Sequence, residues 1–345
     1  MSLSSRILFI HLFIFLVGCT SNYKGPISDH FDGIRFKHPW SEDSKSFFTL
    51  LKWKFTSVPA DWPEPTQIPQ QQVPDLQRST TKVSVTFINH ATVYIQAYGL
   101  RFLTDPQWSQ RASPVSFLGP QRVKNAGVSI DKLPGVDFVM ISHNHYDHFD
   151  LATLQRLNEL YQPQFYIPLG DAHLMQKINI QNFTELDWWQ PITLSENLKL
   201  TFVPVKHWSA RGLWDRNKSL WGGYVLESTN TEKKYNMFFA GDTGYCSIFT
   251  ELAQKYGEFD LVFLPIGAYE PRWFMKDAHM NPADAVQAHR DIKSKYSVGI
   301  HWGLWQLTDE SIESPVQELK KALEQSKVSE SAFETYNLGT TKIIR

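Results

Sequence analysis

The chain has 345 residues, 42 % of them hydrophobic, enough to bury the core of one large domain or two small ones. Basic and acidic side chains balance at 34 against 35, so no basic field exists to draw in nucleic acid, and a nucleic-acid partner is not expected. Aromatic residues are dense, at 12 Trp, 13 Tyr and 23 Phe, which fits an aromatic core and also contact with acyl chains or a membrane interface.

The first segment reads as a targeting sequence. Arg6 supplies a positive charge, and Ile7 to Val17 is an apolar stretch broken only by His11. Its 11 residues fall far short of a bilayer span, which needs about 20 residues, and match a secretory signal. The stretch ends in Leu16-Val17-Gly18-Cys19, which resembles a bacterial lipoprotein lipobox. By that resemblance residues 1–18 are a signal peptide, and Cys19 is lipidated and becomes the new N-terminus. The chain would then be lipid-anchored in the bacterial cell envelope. Thr20 in place of Asp resembles an outer-membrane sorting signal, on the periplasmic side. Cleavage leaves Cys246 as the remaining unmodified thiol, and one thiol cannot form an intramolecular disulfide.

Residues 19–80 read as tether, N-terminal arm and wrap-around segment. Residues 20–45 are polar and turn-rich. Ser46 to Phe55 is amphipathic, suited to packing on the body or to lying on a membrane surface. Residues 56–78 carry Pro59, Pro63, Pro65, Pro69 and Pro74, the mark of an extended segment. The main domain is expected over residues 81–345. Strand-like runs fall at Val83–Ile88, Thr92–Gln96, Leu100–Thr104, Asp137–Ser142, Phe165–Pro168, Leu198–Val203, Gly223–Glu227, Asn236–Ala240, Leu261–Leu264 and Ser297–Ile300. Helical patterns lie at Leu151–Leu160, Ile248–Tyr256, Pro282–Tyr296 and Ser314–Gln325, the third opening with Asn281 as N-cap and Pro282 at the first helical position. Early strands followed by strand–helix alternation predict an α/β sandwich with helices outside two central mixed sheets.

The chemistry concentrates after one of these strands. Ser142-His143-Asn144-His145-Tyr146-Asp147-His148 places four potential metal ligands within six residues. Neutral imidazole and carboxylate suit Zn²⁺, with Fe or Mn as alternatives. Three later positions follow other strands: His207 in Lys206-His207-Trp208, Asp242 in Gly241-Asp242-Thr243-Gly244, and His301 in Ile300-His301-Trp302. Ligands from separate strand ends can converge on one rim of a sandwich. The glycine turn lets the Asp242 carboxylate face the cleft.

This combination resembles the metallo-β-lactamase superfamily and its αβ/βα four-layer sandwich. Further motifs tighten the resemblance: Asn89-His90-Ala91-Thr92, Leu103-Thr104-Asp105-Pro106, Arg111-Ala112-Ser113-Pro114, Gly119-Pro120-Gln121-Arg122, Glu185-Leu186-Asp187-Trp188-Trp189, and the run from Pro265 to Met275. Together they are similar to the N-acylphosphatidylethanolamine-hydrolysing phospholipase D family, from about Phe31 onward. The resemblance implies two zinc ions, one on His143, His145 and His207, the other on Asp147, His148 and His301. Asp242 would bridge them together with a hydroxide. A two-metal centre with ions about 3.5–4 Å apart suits in-line displacement at phosphorus. Asp147 and Asp242 are thus expected to be catalytic. Asp105 either accepts a ring N–H from a ligand histidine or caps the turn before Pro106. His279 matches a family position that contacts the phosphate and could protonate a leaving alkoxide. Tyr146 is a second candidate for substrate contact. His90 is read as structural.

The resulting expectation is a membrane-tethered phosphodiesterase of phospholipase D type, releasing phosphatidic acid and an ethanolamide from a phospholipid. A lactonase or other carbonyl hydrolase is the alternative on the same fold, and a non-catalytic metal-binding lipoprotein the alternative of another class. A homodimer stays open. The chain departs from the animal relatives in its lipobox and in Ala210, Gly212 and Trp214 after His207, and it has Asn89 before His90 where superfamily members usually have Gly.

Overall fold

A computed structural model describes residues 23–40, 47–228 and 235–344. The expected signal segment, residues 1–18, and Cys19 lie outside the described residues. Two seven-stranded sheets make up the centre. The first takes β1 (Ser84–Asn89), β2 (Thr92–Ala97), β3 (Leu100–Thr104), β4 (Phe138–Met140), β5 (Gln164–Pro168) and β6 (Phe183–Leu186) in sequential order. The second takes β7 (Pro191–Ser195), β8 (Leu198–Val203), β9 (Gly223–Ser228), β10 (Asn236–Phe239), β11 (Leu261–Pro265), β12 (Ser297–Ile300) and β13 (Phe333–Glu334), again in order. The closing strand β14 (Thr341–Ile343) returns to pair antiparallel with β1 at the edge of the first sheet.

Side-chain alternation explains the layering. In β1 to β4, Phe87, Ile95, Phe102 and Met140 face the second sheet, while Ile88, Tyr94, Leu103 and Val139 belong to a separate outer cluster. Both faces are covered, so every residue of β1 and β2 is buried. The outer cover of the first sheet is α2 (Leu151–Tyr161) and α3 (Ala172–Lys177), which insert Leu154, Leu157, Leu174 and Met175. On the second sheet lie α4 (Ile248–Tyr256), α6 (Pro282–Asp291) and α7 (Ser314–Ser326), with α6 packed on α4, α7 and β11. The result is the four-layer α/β sandwich that the sequence predicts. The short α5 (Arg272–Met275) and the outlying α1 (Phe47–Thr56) stand apart from the layers.

Helix α6 starts as expected: Asn281 accepts from the Asp284 N–H in a capping box, with Pro282 behind it. It stops at Asp291, short of Tyr296, because Lys293 turns into the left-handed region (φ 55°) and frees the chain to enter β12. The N-terminal arm differs more. Composition reads residues 20–45 as polar tether, yet Phe31 and Phe36 are 1 % exposed within the main core. His30 fixes the arm further, with Nε2 2.8 Å from Asp187 Oδ1. The Pro-rich segment runs extended along the body, tied by Ile68 N–H to Asn125 Oδ1 and Trp62 Nε1–H to Glu310 O. In α1, Trp53 is buried against Phe274, ring centroids 4.8 Å apart, while Phe48 and Phe55 face outward. Among the described residues no helix is long and apolar enough to cross a membrane.

Candidate metal centre

Apart from His279, which follows the short helix α5, each candidate residue follows the C-terminal end of a strand: His90 after β1, Asp105 after β3, His143 to His148 after β4, His207 after β8, Asp242 after β10 and His301 after β12. These loops meet on one rim of the sandwich. Several hold uncommon backbone conformations, with positive φ at His90 (43°), Asp105 (34°) and His301 (62°). Gly241 also has positive φ, and a Cβ there would meet the Ser142 Cβ at 2.5 Å. Only glycine lets the chain turn so closely under the ligand loop and deliver Asp242 inward.

Two groups of donors result. His143 Nε2 lies 2.9 Å from His145 Nδ1, and His207 Nε2 lies 3.3 Å from the same atom. The tautomers follow from the second ring nitrogens. His207 Nδ1–H donates to Ala278 O at 2.9 Å. Ser142 Oγ–H donates to Asp105 Oδ2 at 2.6 Å, so Ser142 Oγ accepts from His143 Nδ1–H at 2.8 Å. Both Nε2 lone pairs therefore point at His145 Nδ1. Whatever proton His145 carries satisfies at most one of them; a shared cation satisfies all three. Tetrahedral zinc with Zn–N of about 2.0–2.1 Å needs N···N near 3.3 Å, about what this trio shows.

The second group centres on Asp147 Oδ2, 3.3 Å from both His148 Nε2 and His301 Nε2. Asp242 Oδ2 faces both groups: 3.0 Å from His301 Nε2, 3.3 Å from His148 Nε2, 3.8 Å from His207 Nε2 and 3.9 Å from His143 Nε2. Buried His148 Nε2, His301 Nε2 and Asp242 Oδ1 have no hydrogen-bond partner. Unsatisfied buried lone pairs aimed at common points are what a metal site looks like without its ion. The donor set fits two divalent cations, with Asp242 between them.

The electrostatics differ across the two groups. Burial holds the His143 and His207 imidazoles well below their ordinary range and brings His145 to about 4, so this trio is neutral and ready to ligate. Burial also acts against charge on His148, but Asp242, Asp147 and Asp105 outweigh it and hold the imidazole well above its ordinary range. For Asp242 burial pushes up, and His148 with His301 pulls the carboxyl well below the usual range.

Asp105 turns inward. Its Oδ1 accepts from Ser142 N–H at 2.7 Å, and its Oδ2 lies 2.7 Å from His148 Nδ1 as well as accepting from Ser142 Oγ. The carboxylate thus fixes the His148 tautomer and orients two ligand-loop residues. His279 Nδ1 is 3.8 Å from Asp242 Oδ2, on the open side of the cluster. Tyr146 lines the same cleft, but its hydroxyl donates to Arg211 O at 2.9 Å and its ring stacks on the Arg211 guanidinium at 3.9 Å. Arg211 in turn donates to Asn144 O and Phe149 O, clamping the ligand loop from beneath. Asn144, with no role legible in sequence, donates to the buried Asp171 carboxylate. His90, read as structural, has Nε2 3.1 Å from Asp147 Oδ2 and so touches the site. Its position one residue past a strand, as with Asp105, was the signal for it. Cys246 is half-buried, its thiol pushed up to about 12 by burial.

A cleft of about 740 Å³ opens over the cluster. Its walls include Leu50 and Trp53 of α1, Phe274 and Met275 of α5, Trp208, and residues 35–38 of the arm.

A beta-lactamase superfamily domain matches residues 100–302. The chain belongs to that superfamily. Over 273 residues it is 37 % identical to N-acyl-phosphatidylethanolamine-hydrolyzing phospholipase D 1 of Caenorhabditis elegans, covering 76 % of each chain. Over 257 residues it is 32 % identical to the mitochondrial N-acyl-phosphatidylethanolamine-hydrolyzing phospholipase D of Saccharomyces cerevisiae, covering 73 % of this chain and 54 % of that one. Among solved structures, a metallo hydrolase of the archaeon Ignicoccus hospitalis aligns with a TM-score of 0.56 at 19 % identity, covering 76 % of this chain and 98 % of that one; it shares the fold. With its clusters of His and Asp suited to metal ions, this superfamily member is a metal-dependent hydrolase.

Proposed function

We propose that this hydrolase is a two-zinc phosphodiesterase of phospholipase D type, acting on N-acylphosphatidylethanolamine-like lipids. The carrying observation is a large cleft, walled by Leu50, Trp53, Phe274 and Met275, with Asp242 and His279 in its lining. Exposed apolar residues stand on the segments that wall it: Phe48 and Phe55 on α1, Phe117 and Leu118, Leu213 and Trp214, and Trp273. A lactonase acting on a small soluble ring has no use for such a collar, whereas a lipid substrate presents acyl chains to it.

One zinc would be held by His143, His145 and His207, the other by Asp147, His148 and His301, with Asp242 shared. When bound, two such cations lower the pKa of a water and neutralise charge on the phosphate. The chain's own residues do the rest. Asp242 would help orient the attacking oxygen, and Asp147 would accept its proton. Attack on phosphorus breaks the bond to the ethanolamide oxygen, and His279 gives that leaving oxygen a proton. Trp53, Phe274 and Met275 exclude water from the acyl side. Anchoring through Cys19 in a bacterial outer membrane would hold the cleft beside its substrate.

Metal analysis of the purified chain tests the first half: about two zinc ions per chain are expected, and removal by chelation abolishes hydrolysis. A folded, active protein with no metal sinks the reading. Hydrolysis in ¹⁸O-water tests the second half, with label expected in phosphatidic acid. Label in free fatty acid would favour carbonyl attack.

A further inference from the structure

Arg216 has no role in the scheme above, yet it lines the same cleft. Its guanidinium carbon sits over the Trp208 ring, 4.2 Å from the centroid, and that ring makes an edge contact with His145, centroids 4.3 Å apart. One aromatic thickness therefore separates a fixed positive charge from the metal cluster. Among the described residues no carboxylate pairs with it. The acids nearby are committed elsewhere: Asp215 caps Arg211 N–H and Gly212 N–H, Asp32 caps Ile34 N–H and Arg35 N–H, and Asp277 pairs with Lys206.

A second cation is built in beside it. Phe36 N–H donates to Asn217 O at 2.7 Å, so the arm and the 209–217 loop run side by side, with Arg35 and Arg216 each one residue from that bond. Arg35 lines the cleft too. The arrangement is held on both sides. Phe31 and Phe36 are buried in the core, and Asn217 closes its loop by donating N–H to Ser209 O at 2.8 Å. Burial, and to a lesser degree the nearby Arg35, makes the charge on Arg216 harder to hold. Among the described residues neither guanidinium is paired with a carboxylate, and the exposed Asp32 near Arg35 offsets only part of the charge, so the two groups in this partly desolvated wall favour an anion between them. A carboxylate or phosphate suits paired arginines best, through bidentate hydrogen bonds.

We infer that Arg216 and Arg35 form an anion subsite on the arm-side wall of the cleft, which takes a second anionic group on the substrate's headgroup, beyond the scissile diester. The inference rests on the phosphodiesterase reading and narrows it. The preferred substrate class becomes acidic phospholipids whose headgroup carries a carboxylate or a further phosphate.

N-acylphosphatidylserine and N-acylphosphatidylethanolamine differ by one headgroup carboxylate and make the test direct. Full-length, zinc-loaded protein in mixed micelles is assayed on both. The expected result is a preference in kcat/KM for the serine lipid of about tenfold, the worth of one charge-assisted pair. Arg216→Ala brings the ratio to about one, Arg35→Ala lowers it in part, and Arg216→Lys keeps part of it. Calorimetric titration with N-acetyl-O-phosphoserine, N-acetyl-O-phosphoethanolamine and inorganic phosphate reads the subsite without turnover. The serine compound should bind tightest in wild type and lose that advantage in Arg216→Ala. Tightest binding by inorganic phosphate, with the same loss in Arg216→Ala, would place a free phosphate there and overturn the headgroup assignment. Equal ratios in wild type, or a preference that survives Arg216→Ala, also overturn it while leaving the phosphodiesterase intact. If neither lipid is cleaved the phosphodiesterase reading falls, and the calorimetry still decides the subsite.

Discussion

Replacing Asp105 by Asn should weaken one metal position without dismantling the site. The carboxylate accepts three buried bonds: Ser142 N–H on Oδ1, Ser142 Oγ–H and His148 Nδ1–H on Oδ2. An amide has one accepting oxygen. Placed at the Oδ2 position, it keeps two bonds and turns its NH₂ toward the Ser142 N–H. That leaves two buried donors, the Ser142 N–H and the new NH₂, facing each other unmatched, at a cost of about 1–3 kcal/mol each. The two surviving bonds lose their ionic character, about 1 kcal/mol each. A neutral amide is cheaper to bury than a carboxylate, which offsets part of the loss. The net expectation is a destabilisation of about 3–6 kcal/mol, read as a lower urea midpoint with unchanged slope. The metal effect should be local. His148 loses its charged anchor, so affinity at the Asp147–His148–His301 position falls about 10–100-fold. The trio of His143, His145 and His207 holds its ion. Chelator competition should resolve one tight and one weakened ion per chain. Two affinities within twofold of wild type would refute the anchoring role of Asp105.

Other perturbations follow from the same geometry. Asp242→Asn should lose activity by about 100-fold or more, since two cations lose a shared anionic ligand, yet keep its secondary structure by circular dichroism; near-wild-type turnover would contradict the shared role. The His30–Asp187 contact predicts a pH effect on the arm. Asp187 raises the His30 pKa above its unfolded value, against a smaller opposing effect of burial, so this stabilisation is present below pH about 6.5 and disappears as pH rises through the raised value. Asp187→Asn should reduce that slope in the thermal midpoint, leaving the smaller part that Asp29 carries at His30 Nδ1, and an unchanged slope would assign it to other groups. Serine at Phe117, Leu118, Leu213 and Trp214 together should reduce binding to phospholipid vesicles by more than tenfold, about 1.4 kcal/mol, with a far smaller effect on a soluble phosphodiester. Equal losses on both would place these residues in catalysis rather than at the lipid surface.

The sandwich was legible because its inner strands are buried on both faces. Runs such as Phe87-Ile88 and Leu261 to Leu264 are apolar throughout, and length and spacing then separate strand from helix. The strands that went unread are at edges or are very short: β7 alternates between exposed and partly buried, and β13 has two residues. The convergence of His143, His145, Asp147, His148, His207, Asp242 and His301 was readable from their common place after strands. What was not readable is carried by contacts between distant segments. Asn144 meets Asp171, Arg211 reaches under the ligand loop, and Phe36 bonds to Asn217, and no local pattern encodes such pairs. The arm misled because its two core residues, Phe31 and Phe36, sit in an otherwise polar stretch.

The early start of the core has a mechanical corollary. Tyr23 already packs on Phe31 and Phe36, with ring centroids 5.0 and 5.4 Å away. The proposed lipid on Cys19 would therefore have three residues between it and Tyr23, and those four Cα–Cα steps reach about 14 Å at full extension. That is less than half the thickness of the hydrocarbon layer it would be rooted in, about 30 Å. On that proposed anchor, so short a leash would keep the enzyme from scanning the aqueous space around it. Its encounters would become two-dimensional, set by lateral diffusion along one leaflet, and its working concentration of substrate would be a surface density rather than a molarity.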